Sequence, residues 1–430
     1  MADELVVVKI DKLVFGGQGL GILPDGRKCF VWGALPGEQV AIELTKKKKD
    51  WAEGITKKII EPSKYRVEPK EPGIYLATSP WQVVEFKVEA IYKQEILKET
   101  FEREHVDVNW QKFYQDDQQY GYRNKMEYNF WWDNDNKKVS LALHQRGSRQ
   151  KVPVNGSLLA SDVINIAGEK LIDFINQNKI QARNLKSVII RCTKDGKVGL
   201  SIFITKEDIV KVLSKINIGN TDYEIIFSNP KSPASVATKI LHKNGDSNLS
   251  DKLMSVEFKY HTRSFFQVNL DVYRQVLKEI VKYTNIKEVK TVLDLYSGVG
   301  SIGLSVIQKR QTLTLVESDI QAANEAKDNA PSNANCEVIN AKSEKSLDYL
   351  AGKDAVIVDP PRAGLHKNVV QKLIELKPKI IIYLSCNPAT QARDMVMLLG
   401  AGYLIKFAKG YNFFPRTPHI ECLIVLEKLI

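Results

Sequence analysis

Cysteine is scarce and scattered in this chain. The five are Cys29, Cys192, Cys336, Cys386 and Cys422, and none stands within a few residues of another. That scatter excludes the clustered spacings of zinc and iron–sulfur sites. An odd set of this kind reads as reduced thiols, most of them apolar fillers and one open to chemistry. Long apolar runs are missing too: none approaches the roughly 20 residues that span a bilayer. The first ten residues carry Asp3 and Glu4 before a short valine run and lack the basic start and apolar stretch of a secretion signal. A cytoplasmic protein without a membrane partner is expected. No internal repeat is found.

What the chain does have is positive charge. Lys and Arg number 62 against 51 Asp and Glu, a formal net charge of +11. Such an excess suits a polyanion, usually nucleic acid, although a merely basic soluble protein would look the same. With 430 residues, 43% hydrophobic and 26% charged, the sequence is that of a globular protein of two to four domains.

The segment up to Ile60 reads as all-β. Strands are expected at Val6–Ile10, Lys28–Val31, Gln39–Leu44 and Trp51–Ile60, with a turn at Phe15–Gly21 and others at Pro24–Gly26 and Leu35–Gly37. Short strands at this spacing predict a small barrel. The four lysines Lys46–Lys49 fall in an expected hairpin loop, either solvated or touching nucleic acid. Pro62–Pro80 reads as a linker, and Val84–Glu104 has helical spacing. From Tyr120 to about Lys259 strands dominate, as in a mixed α+β domain. Beyond Phe265 strands and helices alternate and the strands are almost wholly apolar, which predicts a buried, doubly wound, mainly parallel sheet.

Five motifs in the last part carry chemistry. In the run Val292–Gly303 a strand ends in Asp294, and glycines 298, 300 and 303 open the following turn. Glu317 follows Gly298 by 19 residues, where an acid holds ribose hydroxyls in nucleoside-binding α/β folds. Asp294 at the turn, with no Gly-x-Gly-x-x-Gly opening the helix, favours an adenosyl ligand over a pyrophosphate. Packing alone would also explain the glycines. The second motif, Asp359-Pro-Pro-Arg362-Ala-Gly364, leaves another buried strand with its backbone stiffened by two prolines. The third, Ser385-Cys386-Asn387-Pro388, sets a thiol before a helix start, where partial positive charge favours thiolate. The fourth sets Glu421 at the entry to the last apolar strand, a costly place for a carboxylate that is neither paired nor functional. The fifth, Phe265-Phe266-Gln267-Val268-Asn269, offers aromatics and an amide for stacking on a base, or simply begins a helix.

One reaction uses an activated Cys, a base and a sulfonium donor together. Uracil C5 is a poor nucleophile until a thiolate adds at C6, and a base must then take the C5 proton so that the thiol can leave. Cys386, Glu421 and the Asp294–Glu317 nucleoside site supply the three requirements. The target base would have to leave its stack.

These motifs, in this order, resemble the RNA uracil-C5 methyltransferase family, and the resemblance runs almost end to end. It implies a multidomain fold: a TRAM-like, oligonucleotide-fold barrel over residues 1–62, a linker, helix and α+β RNA-binding domain over 63–262, and a Rossmann-like S-adenosylmethionine methyltransferase domain over 263–430. It implies Cys386 as nucleophile and Glu421 as base. It groups Gln267, Tyr296, Glu317, Asp359, Asp294 and Gly298 around the methyl donor, and Phe265, Arg123, Lys125 and Arg362 on the RNA. The sequence departs from the family at a four-cysteine iron–sulfur cluster. Three of those positions read Pro72, Thr78 and Trp81, and no Cys lies between Cys29 and Cys192. No cluster and no metal are expected, with Trp81 and apolar neighbours filling the space. The barrel favours 23S ribosomal RNA as substrate, with a tRNA uridine methylase as runner-up. A catalytically silent RNA chaperone, a cytosine-C5 methylase and a small-molecule methyltransferase, which would not need the barrel or the charge, are the remaining readings. Nothing demands a dimer, so a monomer is expected.

Overall fold

The structure, a computed structural model, describes residues 5–332 and 335–429. The chain divides into two compact units. One comprises the chain through Tyr92, Gln118–Leu249 and Pro415–Pro418; the other comprises Lys93–Asp117, Ser250–Phe414 and the chain from His419 on. Among the described residues no helix is long and apolar enough to cross a membrane.

The first unit opens with a closed barrel of Val6–Leu13, Gly19–Ile22, Lys28–Trp32, Trp51–Glu61 and Gln39–Lys47, in that order around the ring. Alternation along these strands turns Val8, Ile10, Val31, Val40 and Ile42 inward with Cys29. Two details differ from the sequence reading. The expected turn Phe15–Gly21 is shorter, because Gly19–Ile22 is a strand. A Cβ on Gly21 would lie 2.2 Å from the Lys9 carbonyl oxygen, so the two strands pass too closely for a side chain. The lysine run also begins inside a strand. Lys46 Nζ lies 3.3 Å from Glu53 and 4.5 Å from the Trp51 ring centroid, which commits that charge to its own hairpin.

The Pro-rich stretch after the barrel contains a single helical turn, Tyr75–Thr78. Here lie the positions of the resemblance's cluster. Trp81 is buried and its indole N–H donates to the Gly17 carbonyl at 3.1 Å. Leu76, Val83 and Val84 are buried in the same stretch, and a polar network that the sequence reading did not expect accompanies them. Glu71 Oε2 accepts from the Thr78 hydroxyl at 2.6 Å and from Gln82 Nε2 at 2.7 Å. Among the described residues no group of three or more His, Cys, Asp or Glu could hold a metal ion.

The unit's second part is a seven-stranded sheet in the order Lys239–Asn244, Thr221–Phe227, Val198–Ile204, Leu185–Cys192, Lys125–Asp133, Lys138–His144, Lys151–Val154. The helix Asp162–Gln177 packs on one face of it. Sequence reading missed that helix, although Ile164, Ala167, Leu171 and Ile175 recur at helical spacing and are buried.

The second unit is built on a seven-stranded sheet in the order Cys336–Asn340, Thr312–Glu317, Thr291–Leu295, Ala355–Val358, Ile380–Ser385, Glu421–Lys428, Tyr403–Tyr411. The first five strands are parallel. Glu421–Lys428 runs antiparallel to both of its neighbours. The five strands between the sheet's two edge strands are almost wholly buried, as expected of strands covered on both faces. The chain moves outward from Thr291–Leu295, then returns to add Ala355–Val358 on the other side. Between these two strands lies the switch point at which open α/β sheets bind ligands.

Candidate active site

The registers of this second sheet bring the motif residues to one edge. Leu295 is level with Val316 and with Val358, so Tyr296, Glu317 and Asp359 are the next residues out at the carboxyl ends of three adjacent strands. Ser385 pairs with Cys422 across the antiparallel ladder. The next pair outward is therefore Cys386 and Glu421. An antiparallel final strand explains how its first residue reaches the edge formed by the last residues of the others.

Each side chain is held in a definable way. Asp294 is fully buried, and its Oδ2 accepts from the Gly303 N–H at 2.8 Å. A Cβ on Gly303 would stand 2.9 Å from that oxygen and 2.7 Å from Leu315, which is why the position is glycine. The helix after the turn spans Gly303–Val306. Glu317 Oε2 accepts from the Gly298 N–H at 2.9 Å, and Oε1 accepts from the Asp319 N–H at 2.7 Å. Space beside Gly298 is open: an added Cβ would meet nothing within 4 Å. Tyr296 has φ +63°, a left-handed conformation that costs a bulky residue about 1–3 kcal/mol and marks a constrained turn.

The Cys386 loop is tied to the Asp359–Gly364 loop. Asn387 caps the helix Pro388–Gly400, and its Nδ2 donates to the Arg362 carbonyl at 2.7 Å. From the same helix, buried Asp394 accepts the Leu365 N–H at 2.9 Å and the Tyr383 hydroxyl at 2.8 Å, while Arg393 Nη2 donates to its other oxygen at 2.7 Å. Gly364, at φ +79°, leaves room for this helix, since a Cβ there would lie 2.7 Å from Arg393 and 2.8 Å from Thr390. Gln391 Nε2 reaches the Tyr383 and Cys422 carbonyls at 3.0 and 3.3 Å, joining the two strands that carry Cys386 and Glu421.

The electrostatics differ from the sequence expectation. Cys386 is half-buried, and burial together with the Glu421 and Asp359 carboxylates pushes its thiol up from 9.0 to about 11, against a smaller opposing pull from Arg362. The helix that follows does not make a standing thiolate. Burial and Asp359 raise Glu421 well above the usual carboxylate range, again opposed by Arg362. Burial lifts Asp359 to about 7 and Asp294 to about 8. The edge thus holds acids that favour their protonated forms until positive charge arrives.

Of the other residues singled out, Phe265 is 66% exposed whereas Phe266 is buried and stacked on Tyr260 at 4.3 Å. Gln267 is buried. Asn269 caps the helix Leu270–Thr284 and its Nδ2 donates to the Phe413 carbonyl at 3.1 Å. Arg123 and Lys125 belong to the first unit, where Arg123 Nε donates to the Lys125 carbonyl at 3.4 Å. Burial and the neighbouring Arg191 push the Lys125 ammonium down to about 7. Sequence reading did not single out Tyr273. It is fully buried, its hydroxyl is 2.9 Å from Ser301 Oγ, and it feels Asp359, Asp294 and Glu421 together. Asp394 and Gln391 were missed as well. Polar residues on the buried face of an amphipathic helix were the available signal.

A doubly wound sheet whose last strand in the chain, Glu421–Lys428, is antiparallel, and an acid-rich switch point facing a cysteine, define a methyltransferase fold. The tRNA (uracil-5-)-methyltransferase family matches residues 86–353 and 347–429, and the chain belongs to that family. It is an RNA methyltransferase acting at uracil C5. An uncharacterized RNA methyltransferase of Caldanaerobacter subterraneus subsp. tengcongensis is 29% identical over 447 residues, covering 99% of each chain. Another, from Fusobacterium nucleatum subsp. nucleatum, is 27% identical over 454 residues, covering 100% of this chain and 97% of its own. The Pyrococcus abyssi tRNA (uracil-54, C5)-methyltransferase in complex with S-adenosyl-L-homocysteine has the same fold. It superposes with TM-score 0.77 at 24% identity over 97% of this chain and 99% of that one.

Proposed function

We propose that the chain methylates C5 of a uridine in 23S ribosomal RNA, using S-adenosylmethionine, with Cys386 as nucleophile and Glu421 as the base. The observation that carries the reading is the register that sets Cys386 opposite Glu421 beside Asp359 at the switch point. The residues suit the donor. Asp294 has one buried carboxylate oxygen with no hydrogen-bond partner, Glu317 stands where ribose hydroxyls are held, and the space at Gly298 is open. Gln267, Tyr296 and Asp359 complete the group that would hold it. Bound there, it supplies an electrophilic methyl group.

The chain's own residues do the rest. Phe265, which is exposed, stacks on a base. Cys386 gives up its proton to water and its sulfur bonds to C6 of the uracil, giving C5 the electron pair with which it would take the methyl group, the donor's sulfur keeping the pair of the broken S–CH3 bond as a thioether. Glu421 then removes the C5 proton, the C5–C6 double bond re-forms and the Cys386 sulfur leaves with the bond's electron pair. The positive charge of Arg362 acts on both groups, lowering the thiol and the carboxyl together. Arg123 and Lys125 are assigned to RNA contacts.

A tRNA uridine is the second reading. One observation favours it: the Pyrococcus abyssi chain that matches this one across 97% of its length, barrel included, is a tRNA uracil-54 methyltransferase. Possession of the barrel therefore does not exclude tRNA. Tritiated methyl transfer to unmodified 23S rRNA and to bulk tRNA, offered separately, decides between the two. 5-Methyluridine in 23S rRNA, abolished in Cys386→Ala, is the expected result. The same product in tRNA alone moves the substrate, and none in either overturns the proposal.

A further inference from the structure

The chemistry above leaves unused a groove of about 590 Å³ in the first unit, at the end of its central sheet. Along Lys125–Asp133, Met126, Tyr128 and Phe130 enter the core. Alternation turns Trp131 the other way. Trp131 and its neighbour Trp132 remain 42% and 45% exposed. Two adjacent exposed indoles at a groove are costly to leave in water unless a partner covers them.

The charge around them has one sign. Lys151, Arg183 and Lys186 line the groove with the two tryptophans, and no Asp or Glu does. Lys151 Nζ stands 5.4 Å from the Trp131 ring centroid, a cation held over the edge of a stacking surface. Lys186 Nζ is fixed by neutral acceptors: the Asn229 carbonyl at 2.7 Å, and the Ser232 carbonyl, Ser228 Oγ and Ser232 Oγ, each at 2.9 Å. None of these cancels its charge. Flat aromatic faces interleaved with uncancelled cations are the combination by which proteins hold unpaired nucleic acid, since every base has a face to stack and every linkage a negative charge. A duplex hides its base faces, and an apolar protein segment would leave the three cations without anions.

We propose that this groove binds a single-stranded segment of RNA, with Trp131 and Trp132 stacking on bases while Lys151, Arg183 and Lys186 face the phosphates. That the strand is RNA rests on the family reading; that it is single-stranded rests on the groove.

The test is fluorescence anisotropy of a labelled oligouridylate of about 12 nucleotides on the full chain, with a blunt RNA duplex of equal length for comparison. Trp131→Ala should weaken the single strand about tenfold, and Trp131→Phe, which keeps a stacking face, should recover most of that loss. Lys151→Gln, a surface change that leaves the indoles in place, should lower the slope of log affinity against log salt by about 0.7. Wild-type affinity in all three variants, no binding by the wild type, or equal loss for duplex and single strand would each overturn the proposal. Methyl transfer measured on the same preparations keeps the two claims apart. A wild type that binds through the groove but makes no 5-methyluridine sinks the catalytic reading alone. Intact methyl transfer with indifferent groove variants sinks the groove alone.

Discussion

Cys386 should be a poor nucleophile until the site fills. Its thiol is pushed from 9.0 to about 11 by burial and by Glu421 and Asp359. At pH 8 that leaves roughly one part in a thousand as thiolate, against roughly one in ten for an ordinary thiol. A more basic thiolate is also more reactive, so the net slowing is about tenfold rather than a hundredfold. The assay is iodoacetamide alkylation followed by mass spectrometry of the Cys386 peptide. Cys29, Cys192 and Cys422 are buried and Cys336 is only half-buried, so site-resolved detection separates them. The rate should still be climbing at pH 10. Glu421→Gln and Asp359→Asn, each removing a negative charge, should shift the profile to lower pH, and Arg362→Gln should shift it higher. A rate that levels off by pH 8 in the wild type would refute this reasoning, because it would mean a preformed thiolate.

Three further outcomes follow from the same geometry. Asp394→Ala removes a buried acceptor that holds the Leu365 N–H and the Tyr383 hydroxyl, and should cost about 2–4 kcal/mol in urea unfolding along with most of the methyl transfer. Gly364→Ala combines a φ of +79° with a Cβ 2.7 Å from Arg393, and should cost about 1–3 kcal/mol by the same measure, with a larger fall in kcat than in substrate affinity. Asp359 and Asp294 are raised from 3.8 to about 7 and about 8. Folded values above unfolded ones mean that their contribution is complete below about pH 4 and lost as pH rises through 7 and 8. The melting temperature of the ligand-free protein should therefore fall over that window, and less steeply in Asp359→Asn.

Much of the second unit was legible because its strands are short apolar runs ending in glycine, proline or acid. Ala355–Val358 and Ile380–Ser385 are two such runs. The signal lies in local composition, and a buried parallel strand has little else to encode. The grouping of Asp359 with Glu317 and Tyr296 came from the family resemblance alone, because no local pattern states the register that brings them together. The network around Asp394 was illegible for a similar reason: a lone acid in a helix reads as solvated until the loop it holds is seen. The thiol's protonation was misjudged because the helix start is a local feature, whereas the opposing carboxylates come from strands distant in sequence. In the first unit the helix Asp162–Gln177 was overlooked amid surrounding strands despite its apolar spacing.

The central claim is a transient bond between Cys386 and C6 of the target uracil. RNA carrying 5-fluorouridine tests it most directly, since fluorine at C5 leaves Glu421 no proton to remove and the thiol cannot depart. Incubation with S-adenosylmethionine should give a denaturation-stable protein–RNA adduct whose methylated nucleotide maps by mass spectrometry to Cys386. Formation of 5-methyluridine in ordinary RNA without any such adduct, or an adduct at another cysteine, would contradict it.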